Sequence, residues 1–93
     1  MIPASLAKFF WDTDISALDE NTYSTFIIER LLEYGDDEAI QWVRSVYTKE
    51  MIAQVVRTSR RLSRKTVNFW ALYLGFPREE TAVFSDPDPI WRQ

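Results

Sequence analysis

The chain contains neither histidine nor cysteine. Without histidine it has no side chain that ordinarily titrates near neutrality to act as a general base, no imidazole for zinc, and no Ser-His or Cys-His nucleophile pair. Without cysteine it has no disulfide framework and no thiolate metal site, which suits a reducing, cytoplasmic setting. Glycine occurs only at positions 35 and 75, so no Gly-rich loop is present to cradle a phosphate. Nowhere do about 18 apolar residues run together, as a membrane span requires, and the opening segment MIPASLAKFFWD carries an apolar run too short for a signal peptide. These absences point away from catalysis, cofactors and metals, and toward a protein that binds another macromolecule.

What is present is enough to fold one domain. A chain of 93 residues with 46% apolar and 27% charged residues has the balance of a small globular protein rather than of a disordered tail. The net charge of −3 hides an asymmetry: residues 1–50 hold ten acids and four bases, whereas residues 51–78 hold six bases (Arg57, Arg60, Arg61, Arg64, Lys65, Arg78) and no acid.

Periodicity predicts helices throughout. Tyr23, Phe26, Ile27, Leu31 and Tyr34 fall at helical spacing, giving a helix over about 22–34 with Asn21 or Thr22 as its cap. Gly35 and Gly75 each close a helical run where a left-handed residue is wanted. Asp36, Asp37 and Glu38 begin the next helix, whose buried stripe is Ala39, Ile40, Val43, Val46 and Tyr47. Thr48 caps a further short helix carrying Ile52, Val55 and Val56, and Ser63 caps the last, which runs to about Leu74. In that last helix Phe69 to Leu74 are apolar in succession, so it is expected to be central or to face a partner. Leu6, Phe9, Phe10 and Trp11 make a short first helix ending before Asp12. No strand-length alternation interrupts the series, so the expected fold is all-α: a compact bundle of about five short helices over residues 1–78, followed by an extended tail over 79–93.

The remaining candidates for acid–base or metal chemistry are the carboxylate groups Asp12 with Asp14, Asp36-Asp37-Glu38, and Asp86 with Asp88. Capping explains the 36–38 cluster, which lacks calcium-loop spacing. A cap or turn role is likewise preferred for Asp12 and Asp14, and a solvated tail for Asp86 and Asp88.

The informative stretch is TSRRLSRKTVNFWALYLG, from Thr58 to Gly75. Bases from Arg57 to Lys65 surround a junction between helices, and the second helix opens Ser63-Arg64-Lys65-Thr66-Val67-Asn68, like a recognition helix in a helix-turn-helix. Two features oppose that reading: the junction is longer than the usual turn of about three or four residues, and the net-negative domain lacks the basic excess of a stand-alone DNA binder. A protein partner is therefore placed ahead of nucleic acid, since arginine and aromatic side chains are favoured interface anchors. The candidate partner-binding residues are Arg57, Arg60, Arg61, Arg64, Lys65 and Trp70, together with Phe84 and Trp91 in the tail. Phe84 and Trp91 would either wrap over a partner or fold back on the chain's own core. The nucleic-acid alternative uses Arg60, Arg61, Arg64, Lys65 and Asn68. Homodimerisation through Trp70 and Tyr73 is a further option.

Phe10-Trp11-Asp12, FIIERLLEYGD from Phe26 to Asp36, and the stretch from Thr58 to Gly75 together resemble a family of small uncharacterised bacterial and archaeal helical proteins. Its members are often encoded beside a nucleotidyltransferase-like protein of the abortive-infection toxin type. The resemblance covers residues 8–78 and implies an antitoxin-like or accessory role, in which the small protein binds or restrains its neighbour. It supplies no catalytic residues.

Overall fold

In the computed structural model, residues 2–85 are described, and Trp91, Asp86 and Asp88 lie outside them. The fold is all-α. Among the described residues five α-helices follow one another: α1 (Ser24–Tyr34), α2 (Asp37–Val46), α3 (Lys49–Thr58), α4 (Arg64–Leu74) and the short α5 (Ala82–Ser85). Three 3-10 segments, Ala4–Phe10, Ile15–Ala17 and Arg78–Glu80, precede and link them. Among the described residues there is no strand, and no helix is long and apolar enough to cross a membrane.

Three of the helix starts follow from the expected caps. The Asp36 carboxylate accepts from the Ala39 N–H (3.0 Å), Thr48 Oγ1 from the Met51 N–H (3.1 Å) and Ser63 Oγ from the Thr66 N–H (3.2 Å), each satisfying an amide with no partner inside its helix. The start of α1 differs from expectation. Its cap is Tyr23, which supplies no side-chain bond. The chain is turned into α1 by Asp19, whose carboxylate accepts from the N–H groups of Asn21 (2.7 Å) and Thr22 (3.3 Å), so Asn21 and Thr22 are donors in a turn rather than caps.

The two glycines prove to do different work. Gly75 is left-handed, at φ 86°, as a helix stop of this kind requires. Gly35 is not: at φ −74° and ψ 161° its backbone is open to any residue. What excludes a side chain there is space. A Cβ on Gly35 would lie 2.7 Å from Ala39 Cβ and would also run into the Leu31 carbonyl oxygen. The missing side chain lets α1 and α2 meet across a two-residue corner.

Helix α1 is central. Ile27, Ile28 and Leu31 are fully buried, and α1 packs on α2, on α3 and on the first 3-10 segment, which contributes Leu6 and Phe10. Each such side chain contributes about 1.5–3 kcal/mol by leaving water. Val43, Val56 and Val67 bring α2, α3 and α4 onto the same core. Tyr47, just beyond α2, is also buried, while Val46 turns outward.

Helix α4 is neither central nor covered all round. It packs chiefly on α3 through Val67, Trp70 and Ala71, and it carries Phe69, Leu72 and Tyr73 on its outer side. The packed unit also runs past the boundary expected after Arg78. Thr81 is completely buried, Val83 and Phe84 pack against the core, and α5 lies on α3 and α4. The Thr81 hydroxyl donates to the Arg78 carbonyl (2.6 Å) and accepts from the Phe84 N–H (3.4 Å), which closes this turn.

Candidate partner-binding surface

The basic junction does not form one patch. Part of it clasps the C-terminal turn: the Arg57 guanidinium lies 4.3 Å from the centre of the Phe76 ring and 3.5 Å from a Glu80 carboxylate oxygen. Arg64 and Arg78 both face the Phe84 ring, at 5.7 and 5.0 Å. Phe84 is therefore a side chain of the chain's own fold, covered by two arginines, rather than an extended anchor. Asn68, the residue placed for base contact in the nucleic-acid alternative, accepts a hydrogen bond from Arg78 (3.0 Å).

A second part of the junction is pinned to α1 by acids. Ser59 Oγ donates to Glu29 (2.6 Å) and accepts from the Arg61 N–H (3.1 Å), and one turn along α1 the Glu33 carboxylate accepts from the Ser63 N–H (2.9 Å). Leu62, between these points, is buried. Arg61 consequently borders a hollow of about 170 Å³ that also contains Glu29 and Glu33. Arg60, Arg64 and Lys65 are exposed. The five residues joining α3 to α4 exceed the usual helix-turn-helix turn.

Trp70 is only 4% exposed and belongs to the core. Its neighbours form the surface instead: Phe69, Leu72 and Tyr73 are 58%, 81% and 51% exposed. The Phe69 and Tyr73 rings, one helical turn apart, stack at 6.2 Å with 8° between their planes, and Trp70 meets both edge-on. The ridge so formed has a hollow on each flank, and Trp70 borders both. One, of about 460 Å³, includes Lys65, Phe69 and Ile40. The other, of about 520 Å³, lies between the end of α2, the start of α3 and the end of α4. Sequence reasoning named Trp70 among the binding residues, while Phe69 and Leu72 figured only in an apolar run expected to be central or to face a partner. A wheel anchored on Val67 and Ala71 as the inward pair would have turned them outward.

Of the carboxylates considered for chemistry, Asp12, Asp14, Asp36 and Glu38 each hold a structural partner. Arg30 makes two bonds to Asp12 (2.9 and 3.2 Å) and one to the Phe9 carbonyl (3.1 Å), and its guanidinium lies 4.6 Å from the Trp11 ring and 5.0 Å from the Phe26 ring. That guanidinium holds the Asp12 carboxyl below the usual carboxylate range. Asp14 accepts from both the hydroxyl and the N–H of Ser16, which lower its pKa in the same way. Asp36 is lowered first by the Ala39 N–H and further by Lys8, and Glu38 accepts from the Ser5 hydroxyl (2.6 Å). Among the described residues no group of three or more acidic side chains is placed to hold a metal ion, and no buried side-chain polar atom lacks a partner. The Arg30 cluster was not anticipated; nothing in the spacing of Asp12 and Arg30 announces it.

A family of unknown function (DUF6922) matches residues 6–56, more than half of the 93 residues. The chain belongs to that family. Its matched region runs from the first 3-10 segment through α3 and contains the Arg30 cluster and the Gly35 corner. The basic junction and the α4 ridge lie beyond it. No curated protein and no solved structure matches the chain.

Proposed function

We propose that the chain is a non-catalytic protein-binding module, acting in the cytoplasm as the antitoxin-like or accessory partner of a nucleotidyltransferase-like protein. The observation that carries the binding reading is the α4 ridge. Phe69, Leu72 and Tyr73 stand outward side by side while Trp70 beneath them seals the core, and contiguous exposed apolar surface of this kind marks interaction sites. Aromatic side chains of low conformational freedom, with arginine at the margin, are the residue types that dominate binding energy at protein interfaces. Arg44 supplies that margin, its guanidinium 5.6 Å from the centre of the Tyr73 ring. The absence of histidine and cysteine supports the non-catalytic half, and the family resemblance supports the choice of partner.

Co-expression with the neighbouring nucleotidyltransferase-like protein, followed by gel filtration, tests the reading. A stable complex that is lost in Phe69→Ser/Leu72→Ser is expected. Separate elution of the two wild-type proteins at micromolar concentration refutes the assignment of this partner. The nucleic-acid alternative retains one favourable observation, that Arg64 and Lys65 are both exposed at the start of α4. It requires retardation of DNA that weakens steeply with salt, and no retardation at low salt eliminates it.

A further inference from the structure

The larger hollow beside the α4 ridge carries a more specific assignment, which rests on the protein-binding reading. Ile52 and Trp70, 3% and 4% exposed, contribute apolar side chains to it, Tyr73 and Leu74 line it from α4, and Arg44 and Lys49 stand at its α2 and α3 sides. Its volume of about 520 Å³ is of the size that admits one large side chain with its backbone. Charge separates this hollow from the others. The hollow at Arg61 includes Glu29 and Glu33, and the one at Lys65 includes Glu33, whereas no carboxylate lines this one.

The two bases also differ from four other cations of the chain. Lys8, Arg30, Arg57 and Arg78 each have a carboxylate oxygen within 4 Å. Arg44 and Lys49 have no such ion pair among the described residues. Tyr47 cannot serve as a donor to a ligand here, because its hydroxyl is already given to the Glu20 carbonyl (2.7 Å). In a chain of net charge −3, two bases face one apolar hollow. The acidic charges of Glu20 and Asp19 act on its Tyr47 side, so an acidic group entering beside Arg44 and Lys49 would pair with bases that have no carboxylate of their own among the described residues.

We propose that this hollow is the anchoring pocket for an acidic segment of the protein partner, receiving an apolar or aromatic side chain against Trp70 and Tyr73 while an adjacent carboxylate pairs with Arg44 and Lys49. A second copy of the chain fits less well, because a symmetric contact centred here brings Arg44 and Lys49 against their own counterparts.

The test is a titration of the full isotope-labelled chain, followed by NMR, with the capped dipeptide N-acetyl-Trp-Asp-amide and with its neutral counterpart N-acetyl-Trp-Asn-amide. The acidic peptide should shift Lys49, Ile52, the Trp70 indole and Tyr73 in a saturable way at millimolar concentrations, binding about three- to fivefold more tightly than the neutral one, as an exposed charge pair gives. Arg44→Gln/Lys49→Gln should abolish that preference, so that the two peptides bind the variant equally. Both side chains are exposed, so the melting temperature of the double variant, measured alongside, should match wild type.

Equal affinity for the two peptides, shifts centred on Arg61 instead, or no saturable shifts overturns the proposal. So do concentration-dependent shifts at the same residues without peptide, which identify self-association. If the complex with the nucleotidyltransferase-like protein forms and is unaffected by Arg44→Gln/Lys49→Gln, the pocket is refuted while the binding module stands. If the peptides behave as expected and no complex forms, the choice of partner fails and the pocket stands.

Discussion

Alanine at Gly35 and at Gly75 should destabilise the fold by similar amounts for opposite reasons, and a short substitution series separates them. At Gly75 the added methyl meets nothing within 4 Å, but the backbone sits at φ 86°, so the cost is conformational, about 1–2 kcal/mol for an L-residue held left-handed. At Gly35 the backbone is unstrained, yet the methyl would be 2.7 Å from Ala39 Cβ and in collision with the Leu31 carbonyl oxygen. That oxygen accepts the last amide bond of α1, from Gly35 itself (2.9 Å), so relief requires moving either the end of α1 or the start of α2. Overpacking of this kind costs about 1–3 kcal/mol, of which the stiffer unfolded chain of an alanine variant offsets less than about 1 kcal/mol. For a domain of this length, about 1 kcal/mol lowers the melting temperature by roughly 4–8 °C. Far-UV circular dichroism melts of Gly→Ala and Gly→Asn at both positions are the assay. Asparagine visits the left-handed region readily, so Gly75→Asn should recover much of what Gly75→Ala loses, whereas Gly35→Asn should be no better than Gly35→Ala. In the Gly35→Ala background, Ala39→Gly should cost less than it does alone, because it removes one of the two collisions. Recovery by asparagine at position 35, or additivity of Gly35→Ala with Ala39→Gly, would refute the steric account.

Three further outcomes follow from buried polar contacts and one cation cluster. Burial and the nearby Glu20 and Asp19 charges push the Tyr47 hydroxyl from its ordinary 10.0 up to about 12. The folded state therefore keeps a proton that the unfolded chain releases, and stability present below pH 10 is lost as pH rises toward about 12. Tyr47→Phe should flatten that alkaline decline in urea titrations, at a cost of about 1 kcal/mol near neutrality from the lost bond to the Glu20 carbonyl; an unchanged decline rejects Tyr47 as its source. Arg30→Lys should lower the melting temperature, since an ammonium keeps neither the two-point contact with Asp12 nor the planar stacking on Trp11 and Phe26, and the stacking alone accounts for about 1 kcal/mol. Tolerance of lysine would mean that only charge matters there. Thr81→Val should cost about 1–2 kcal/mol by removing the cap of α5 and a buried hydrogen bond; wild-type stability would show that the segment after Arg78 does not unfold with the rest.

The features legible in the sequence were those decided within one or two helical turns. Asp36, Thr48 and Ser63 could be read as caps because capping needs only a short polar side chain two or three residues before the amides it satisfies. The core positions of α3 could be read because Ile52, Val55 and Val56 repeat at helical spacing, whereas in α1 the same pattern found Ile27 and Leu31 but took in the exposed Tyr23 and Tyr34 and passed over Ile28 and Leu32. Gly35 was misread because a glycine required by a neighbouring helix looks the same in sequence as one required by its own φ. The inward direction of Trp70 was missed for a related reason: six apolar residues in a row hide the helical period, and the inward side is decided by what α3 offers opposite. The Arg30 cluster joins Phe9, Trp11 and Asp12 to α1 from about twenty positions away, a separation at which residue type carries no register.

The uneven distribution of charge along the chain has an internal explanation that redirects the search for its partner. An acidic first half and a basic stretch at 57–65 look, in sequence, like two surfaces for two ligands. In the fold they face each other. Glu29 and Glu33 hold the junction through Ser59 and Ser63, and Arg57 and Arg64 hold the C-terminal turn through Glu80, Phe76 and Phe84. The one ion pair among these contacts, Arg57 with Glu80, contributes little by itself, about 0–1 kcal/mol, but with the hydrogen bonds and ring contacts it fixes the path of a loop that has only Leu62 and Ser59 buried. Replacing Glu29 and Glu33 together by alanine should therefore act first on the loop. Amide exchange should quicken at Arg61 and Ser63, while affinity for the acidic dipeptide at Arg44 and Lys49 changes less than twofold. A large change in that affinity, with loop exchange unaltered, would put the binding surface back at the junction.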